Sequence, residues 1–295
     1  MPAVITTPYP APSSAIDPAR VRSLFARPER LAESAFMRRE IAQRMHDRLE
    51  LVRLSPNRVL DAGCGEGADL ARLQTRFPGA HIIGADLSPA MLRHAGSGSA
   101  HDADLICCDF AQLPLPDGAL EMLWSNLSLH WYASPEAACV EWRRVLSRGG
   151  LLMFSCFGTD TMAELQSAFV DGDATRRVMP FPDMRELGDM LVAAGFPSPV
   201  LDRDTITVTY ADPSRLLADV RAFGGNALYQ RRRGLQGRHA WTKMLQTLEE
   251  MREPDGRIAL RFEIVYGHAF RDEPAASSSH ERPLQFMPRR LIADD

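Results

Sequence analysis

Residues 59–67 read Val-Leu-Asp-Ala-Gly-Cys-Gly-Glu-Gly, and this segment is the strongest indication of the fold. An apolar strand runs into three glycines, Gly63, Gly65 and Gly67, and a helical pattern follows over residues 68–77. Glycine lets a ligand approach the backbone closely, and the first turn of a helix presents unpaired N–H groups. The segment therefore predicts a strand–turn–helix unit that binds a nucleotide.

Asp61, inside the strand end, indicates which kind of nucleotide. Dinucleotide-binding turns have the spacing G-x-G-x-x-G and seat a pyrophosphate on the helix N-terminus. Here the spacing is G-x-G-x-G, and the carboxylate of Asp61 would repel a pyrophosphate. A ligand with cationic groups would be attracted instead, and S-adenosylmethionine carries both an ammonium and a sulfonium.

Two further acids follow the next predicted strands. Asp86 ends the second strand, where a carboxylate accepts hydrogen bonds from ribose hydroxyls, and Asp109 ends the third, where it could take an adenine amino group. Any one of these acids could simply cap a helix or be solvated. Three at successive strand ends favour a cofactor site. Its predicted apolar walls are Leu87, Met91 and Phe110.

Short apolar runs alternate with helical stretches along the first half of the chain. The predicted strands are 58–61, 80–86, 105–109, 119–125 and 151–157, and the predicted helices between them are 68–77, 89–94 and 135–146. This alternation implies parallel pairing through right-handed crossovers, hence a doubly wound α/β sheet. Further along, helices 184–194, 213–223 and 235–251 and strands 204–210 and 258–270 bring the number of predicted strands to seven.

Composition excludes several classes of protein. The chain has 295 residues, 45% hydrophobic and 24% charged, which is ordinary for a globular protein. Its net charge of −4 argues against nucleic-acid binding over the whole surface. Five cysteines without a CxxC pair support neither a disulfide framework nor a metal site, and no apolar run is long enough to cross a membrane. A cytoplasmic location is expected.

Four segments in order resemble class I S-adenosylmethionine-dependent methyltransferases: VLDAGCGEG, IIGADLSPAML, CDFAQLPLPDG and RRVLSRGGLL. The resemblance covers roughly residues 55–157. It implies a Rossmann-like methyltransferase fold, in which a doubly wound, mostly parallel sheet of seven strands carries a helical lid. S-adenosyl-L-methionine is the implied cofactor, and Asn126 is expected to line the methyl-transfer site.

A narrower resemblance extends over about residues 16–272. The segments SNLSLHWYASPEAACVEWRRVLSRGGLLMFSCFGTDTMAELQSAF, PFPDMRELGDMLVAAGF and DGRIALRFEIVYGHAF are similar to the malonyl-acyl-carrier-protein O-methyltransferases of biotin biosynthesis. They are also similar to a mitochondrial relative, a complex I assembly factor regarded as an arginine hydroxylase. The sequence LHW at 129–131 is more similar to that relative. In the N-terminal lid, residues 30–32 do not include the tyrosine that is usual in the biotin enzymes.

The family reaction implies that the free carboxylate of a malonyl thioester attacks the methyl group of the cofactor. Because that carboxylate is ionised at neutral pH, the reaction needs alignment and a cationic clamp and no general base. Arg144 and Arg143 are the candidate clamp, although cations near a helix C-terminus are also favoured by its dipole. His130 and Trp131 are candidate substrate contacts, although both could simply pack under the lid.

Residues 221–243 hold six basic side chains and no acid in a chain that is net negative. Such a run is often just a solvated face. On the resemblance, it is a possible docking face for malonyl-acyl-carrier protein, an acidic partner. The residues of this predicted face are Arg221, Arg231, Arg232, Arg233, Arg238 and Lys243.

The sequence thus predicts one methyltransferase domain over 16–271, between poorly ordered tails at 1–15 and 272–295. Within it we expect a core at 55–157, a lid or insertion at about 158–257 and a last strand at 258–270. The leading function is methylation of the malonyl carboxylate. The alternatives are a protein-modifying role like that of the mitochondrial relative, another small-molecule methyl transfer, or an assembly chaperone that binds cofactor without turnover.

Overall fold

A computed structural model describes residues 16–98, 103–169, 177–231 and 237–272. Seven of its segments are strands: β1 Arg58–Ala62, β2 His81–Asp86, β3 Asp104–Cys107, β4 Leu120–Asn126, β5 Leu146–Phe157, β6 Val200–Tyr210 and β7 Ile258–Phe270. The first helices are α1 Pro18–Phe25, α2 Pro28–Leu31, α3 Ala35–Leu49, α4 Leu70–Arg76 and α5 Pro89–Ser97. The later ones are α6 Pro135–Val145, α7 Ala163–Ala168, α8 Met184–Ala193, α9 Pro213–Ala222 and α10 Arg238–Glu250.

The strands form one sheet in the order β3-β2-β1-β4-β5-β7-β6. The first five are parallel, and β7 runs antiparallel to both β5 and β6. Residues of β1 and β4 are almost all buried, as expected for central strands covered by helices on both faces. The order reverses between β1 and β4, and this is the place where open α/β sheets bind ligands, outside the carboxyl ends of the strands.

Helix α6 carries the chain from β4 back to the start of β5. Its buried side chains pack on the sheet, and they are those of Ala138, Cys139, Trp142 and Val145. The backbone carbonyl of Arg144 accepts a hydrogen bond from the N–H of Gly118, just before β4. The last turn of α6 therefore lies at the amino ends of the strands, opposite the ligand-binding edge.

The N-terminal helices and the segment after α9 are joined to each other. Asp17 caps α1 by accepting hydrogen bonds from the N–H groups of Ala19 and Arg20. Ile16 forms an antiparallel bridge with Leu228, and the hydroxyl of Ser34 donates to the carbonyl oxygen of Ala222. Two distant parts of the chain thus form one cover, which we call the lid (residues 16–34 and 213–228).

The predicted doubly wound sheet of seven strands is confirmed. Two strands are longer than expected, since β5 begins at Leu146 and β6 at Val200. The segment 158–257, predicted as a lid, also supplies β6 at the sheet edge. In the described part of the chain, no helix is both long and apolar enough to cross a bilayer.

Candidate cofactor site

The glycine turn is held to the neighbouring strand by backbone hydrogen bonds. The N–H groups of Gly63 and Cys64 both donate to the carbonyl of Ala85 in β2, at 2.8 and 3.0 Å. Gly63, Gly65 and Gly67 have φ values of +81°, +54° and +77°, in the left-handed region that favours glycine. A Cβ on Gly63 would lie 2.5 Å from the Cβ of Ser128. The turn therefore tolerates no side chain at this position.

Asp86 at the end of β2 organises two loops. One carboxylate oxygen accepts a hydrogen bond from the N–H of Gly65 at 2.9 Å, and the other accepts from the N–H of Ser88 at 2.7 Å. A carboxylate has about four acceptor positions, so each oxygen retains one for a ligand hydroxyl. Asp86 can thus hold the glycine turn and receive a ribose diol together.

A second carboxylate lies deep in the site beside Asp61. Asp69 accepts hydrogen bonds from the indole N–H of Trp124 at 3.2 Å and from the amide of Asn126 at 3.0 Å. Both acids are buried. Burial raises the pKa of Asp61 well above its usual value, and the nearby charges of Asp69 and Asp86 raise it further. Burial also raises the pKa of Asp69. This corner of the site is built for a cationic ligand group.

Asp109 lies two residues past β3 and faces the other end of the site. Its carboxylate accepts hydrogen bonds from the N–H of Ala111 at 2.8 Å and from the hydroxyl of Tyr132 at 2.9 Å. Burial, followed by the hydrogen bond to Asp109, raises the pKa of Tyr132 to about 12. The ring of Tyr132 is 5.0 Å from that of Phe110, which gives this end an aromatic wall.

These groups surround one cavity of about 310 Å³. Nine of the ten predicted cofactor residues line it: Asp61, Gly63, Gly65, Asp86, Leu87, Met91, Asp109, Phe110 and Asn126. The tenth, Gly67, lies behind the turn, where its N–H donates to the carbonyl of Cys64. The predicted residues therefore converge on one site.

The cavity fits S-adenosylmethionine in its chemistry. Buried carboxylates suit the ammonium and sulfonium groups, Asp86 suits the ribose diol, and the aromatic end beside Asp109 suits adenine. Close approach of the ligand to the backbone is possible because Gly65 has nothing within 4 Å of where its Cβ would be. The residues present are those that such a ligand requires.

Several lining residues were missed by the sequence analysis. Helix α1 contributes Arg22 and Phe25, and α3 contributes Arg38 and Arg39. No local pattern marks them, because α1 and α3 come next to the glycine turn only in the folded chain. Asp69 was also missed, although an acid within one turn of a glycine-rich loop is a signal that could have found it.

Trp131, a predicted substrate contact, lines the cavity on its lid side. Its ring is 5.4 Å from that of Phe25 in an edge-on arrangement. His130 points elsewhere, into a buried aromatic group with Phe157 and Phe181, and it does not line the cavity. Neither of its ring nitrogens has a hydrogen-bond partner, and burial lowers its pKa to about 3. His130 is therefore neutral.

Arg143 and Arg144 do not lie at the site, and their predicted role as a carboxylate clamp does not fit the geometry. Arg144 pairs with Glu141 and Asp117, both at 2.7 Å. Arg143 donates to the carbonyl of Gly195 and pairs with Asp272. The physical reason is the direction of α6, whose last turn is at the amino ends of the strands. These arginines connect structural elements.

The predicted docking residues fall in three places. Arg221 lies in the last turn of α9 and lines a second cavity. Arg231 pairs with Asp17 at 3.6 Å, beside the lid. Arg238 and Lys243 are exposed on α10. Arg232 and Arg233 lie outside the described residues.

Comparison with known proteins shows which family the chain resembles. Residues 60–154 match the model of a methyltransferase domain family. A curated relative from Laribacter hongkongensis, named malonyl-acyl-carrier-protein O-methyltransferase, is 42% identical and covers 94% of this chain and 93% of its own. One of the same name from Gallionella capsiferriformans is 40% identical over 88% of this chain and 92% of its own.

Solved structures support the fold. The YcgJ protein of Bacillus subtilis is 15% identical with a TM-score of 0.56, covering 78% of this chain and 98% of its own. A putative methyltransferase from Bacillus halodurans gives the same identity, TM-score and coverage. At this identity the likeness concerns the fold alone.

Proposed function

The chain belongs to the malonyl-acyl-carrier-protein O-methyltransferase family, and on that premise we propose that it transfers a methyl group from S-adenosylmethionine to the free carboxylate of a malonyl thioester carried by acyl-carrier protein. The observation that carries the proposal is the acidic cavity at the switch point of the sheet, which is also lined by Arg22 of the lid and by Arg38 and Arg39 of α3. The product is a methyl ester, which masks the charge of the malonyl group for biotin synthesis.

The chemistry requires alignment more than proton transfer. When bound, S-adenosylmethionine supplies an electrophilic methyl group, so a carboxylate oxygen forms the new O–C bond while the S–C bond breaks and its electron pair stays on sulfur. No proton moves, because the carboxylate is already ionised at neutral pH. Orientation alone can supply about 7–11 kcal/mol of such a barrier.

Different residues of this chain would bind the cofactor, balance its charge and exclude water. Asp86 and the glycine turn would hold the ribose, Asp61 and Asp69 would balance the cationic groups, and the lid residue Phe25 with Trp131 would exclude water. The neutral His130 supports the aromatic wall from behind. A buried, water-poor site strengthens the attraction between an anionic acceptor and a cationic donor.

The direct test is incubation of the chain with labelled S-adenosylmethionine and either malonyl- or acetyl-acyl-carrier protein, read by mass spectrometry. We expect one methyl group on the malonyl protein, none on the acetyl protein, and loss of product in Asp86→Ala. Cofactor binding without methylation of the malonyl protein would overturn the proposal and favour an assembly role.

The carrier protein would dock on the exposed cations beside the lid. No carboxylate among the described residues pairs with Arg238 or Lys243, so both remain available to an acidic partner. Steering by such charges weakens as salt screens them. We expect Arg238→Glu/Lys243→Glu to lower kcat/KM for malonyl-acyl-carrier protein and to flatten its salt dependence. An unchanged salt dependence would reject this face.

A further inference from the structure

A second cavity of about 230 Å³ adjoins the cofactor cavity. It is bounded by the end of β5, by residues around α7 and by α9 and α10, and aromatic side chains such as Phe157, Phe181 and Trp241 form much of its wall. Trp131 lines both cavities. One indole ring therefore separates the methyl-donor site from this second space.

The charged groups on the wall of this cavity have a single sign. Arg177 and Arg221 line it, and no acidic residue of the described chain does. The cofactor cavity differs, since acids line its interior. Arg177 also lies over the ring of Phe169, with its guanidinium carbon 4.9 Å from the ring centre. An apolar space that carries guanidinium groups suits a small acyl group ending in a carboxylate.

Arg221 is placed close to the shared wall. It belongs to the last turn of α9, and its carbonyl accepts a hydrogen bond from the N–H of Gly224 at 3.3 Å. Gly224 packs so tightly on Trp131 that an added Cβ would lie 2.6 Å from the indole. The side chain of Arg221 thus begins about one helical turn from the ring that faces the cofactor.

We propose that the second cavity is the acceptor pocket, in which Arg221 binds the free carboxylate of the malonyl group beside Trp131 and Arg177 adds positive charge. This inference rests on the proposed function and names the side chains that select its substrate. It also moves Arg221 from the carrier-docking face to the acyl pocket.

The test uses malonyl-N-acetylcysteamine, a small thioester that bypasses carrier docking. For Arg221→Gln we expect its KM to rise about tenfold to hundredfold, the loss expected for a charge-assisted hydrogen bond. The KM for S-adenosylmethionine and the calorimetric Kd of S-adenosylhomocysteine should stay within twofold. Arg177→Gln should show a smaller rise, and Arg221→Lys should recover part of the loss.

A specificity readout separates carboxylate binding from a structural effect. Acetyl-N-acetylcysteamine, tested as a competitive inhibitor, should bind the wild type much more weakly than the malonyl compound, and Arg221→Gln should narrow that ratio. Arg148→Gln, an exposed arginine near the start of β5, is the matched control and should change neither value.

Two results would count against the inference in different ways. If the wild type is active and both Arg221→Gln and Arg177→Gln keep its KM for the malonyl thioester and its specificity, the acceptor pocket is overturned and the proposed function is not. A wild type that methylates neither the small thioester nor malonyl-acyl-carrier protein would overturn the proposed function and this inference with it.

Discussion

The charges of Asp69 and Asp86 repel the charge of Asp61 in the acidic part of the cofactor cavity. Burial is the main cause of the raised pKa of each carboxyl in the ligand-free chain. A bound cation favours the ionised form and so lowers these pKa values. Binding must therefore release protons at pH values between the pKa values of the ligand-bound and the ligand-free carboxyls, and affinity must fall as the pH decreases through that range.

We expect more protons to be released on binding of S-adenosylmethionine at mildly acidic pH than at pH 8. Calorimetry in two buffers of different ionisation enthalpy measures it, and Asp69→Asn should reduce it. The sign also applies to stability: a carboxyl with a raised folded pKa binds more protons when folded, so its cost to the ligand-free chain disappears as the pH falls through that pKa. Absence of proton release at every pH would contradict this coupling.

Arg144 provides a second prediction for a single residue. Its side chain forms an ion pair with Asp117 and donates a hydrogen bond to the carbonyl of Leu113, at the amino ends of the strands and away from the cofactor cavity. Partly exposed ion pairs contribute little, about 0–1 kcal/mol. Arg144→Met should thus lower the Tm by a few degrees at most and leave both KM values unchanged. A large rise in the KM for the acceptor in Arg144→Met would instead support the predicted role of Arg144 in binding the malonyl carboxylate.

The residues foreseen from sequence and those missed differ in a physical way. Asp61, Asp86 and Asp109 were predictable because the carboxyl ends of parallel strands share one edge of the sheet. The position of Arg144 was predicted wrongly because the direction of α6 was not considered. A crossover helix returns the chain to the amino ends of the strands, away from the ligand-binding side. The role of Arg221 could not be predicted from the sequence, because no pattern in the neighbouring residues indicates that α9 ends against Trp131.

At the scale of elements, the end of α9 is shaped by the indole of Trp131. Gly224 has a φ of +112°, and an added Cβ would meet Trp131 at 2.6 Å. We expect Gly224→Ala to displace the ring, to raise the KM for acceptor and cofactor together, and to lower the Tm. Backbone strain alone would cost about 1–3 kcal/mol.

Gly225 offers the matched control. It also has a positive φ, +69°, but nothing lies within 4 Å of where its Cβ would be. Gly225 also lines the second cavity, so the informative value for Gly225→Ala is the KM for S-adenosylmethionine, which should stay near normal while the chain is destabilised. Adding Trp131→Leu to Gly224→Ala removes the clash and should recover part of the lost Tm. Equal kinetic effects of the two alanine variants would show that strain, and not contact with Trp131, controls the site.

The elements differ in how well a single sequence specifies them. Strands β1 to β5 were predictable because short apolar runs alternate with helical stretches. The lid was predicted only as a region, because its halves meet through contacts between residues far apart in the sequence, such as Ser34 and Ala222, which are 188 residues apart. A periodic pattern carries no information about such pairing.

For the whole molecule, the contacts between the two halves of the lid connect the cofactor cavity with the second cavity. Helix α1 lines the former, and α9 lines the latter. Between them run the bridge of Ile16 with Leu228 and the hydrogen bond from the N–H of Asp17 to the carbonyl of Ala227 at 2.8 Å. Ordering one half by a ligand should therefore order the other.

Hydrogen–deuterium exchange with S-adenosylhomocysteine as the probe tests this coupling. We expect slower exchange in residues 16–25, which line the cofactor cavity, and also in residues 222–228, which do not. Ser34→Ala removes one of the links between the halves, the hydrogen bond to Ala222, so protection of 222–228 should diminish while that of 16–25 persists. Ser167→Ala, an exposed serine at the end of α7, should leave both unchanged. Protection confined to 16–25 in the wild type would mean that the two cavities close independently, and that cofactor binding does not prepare the acceptor pocket.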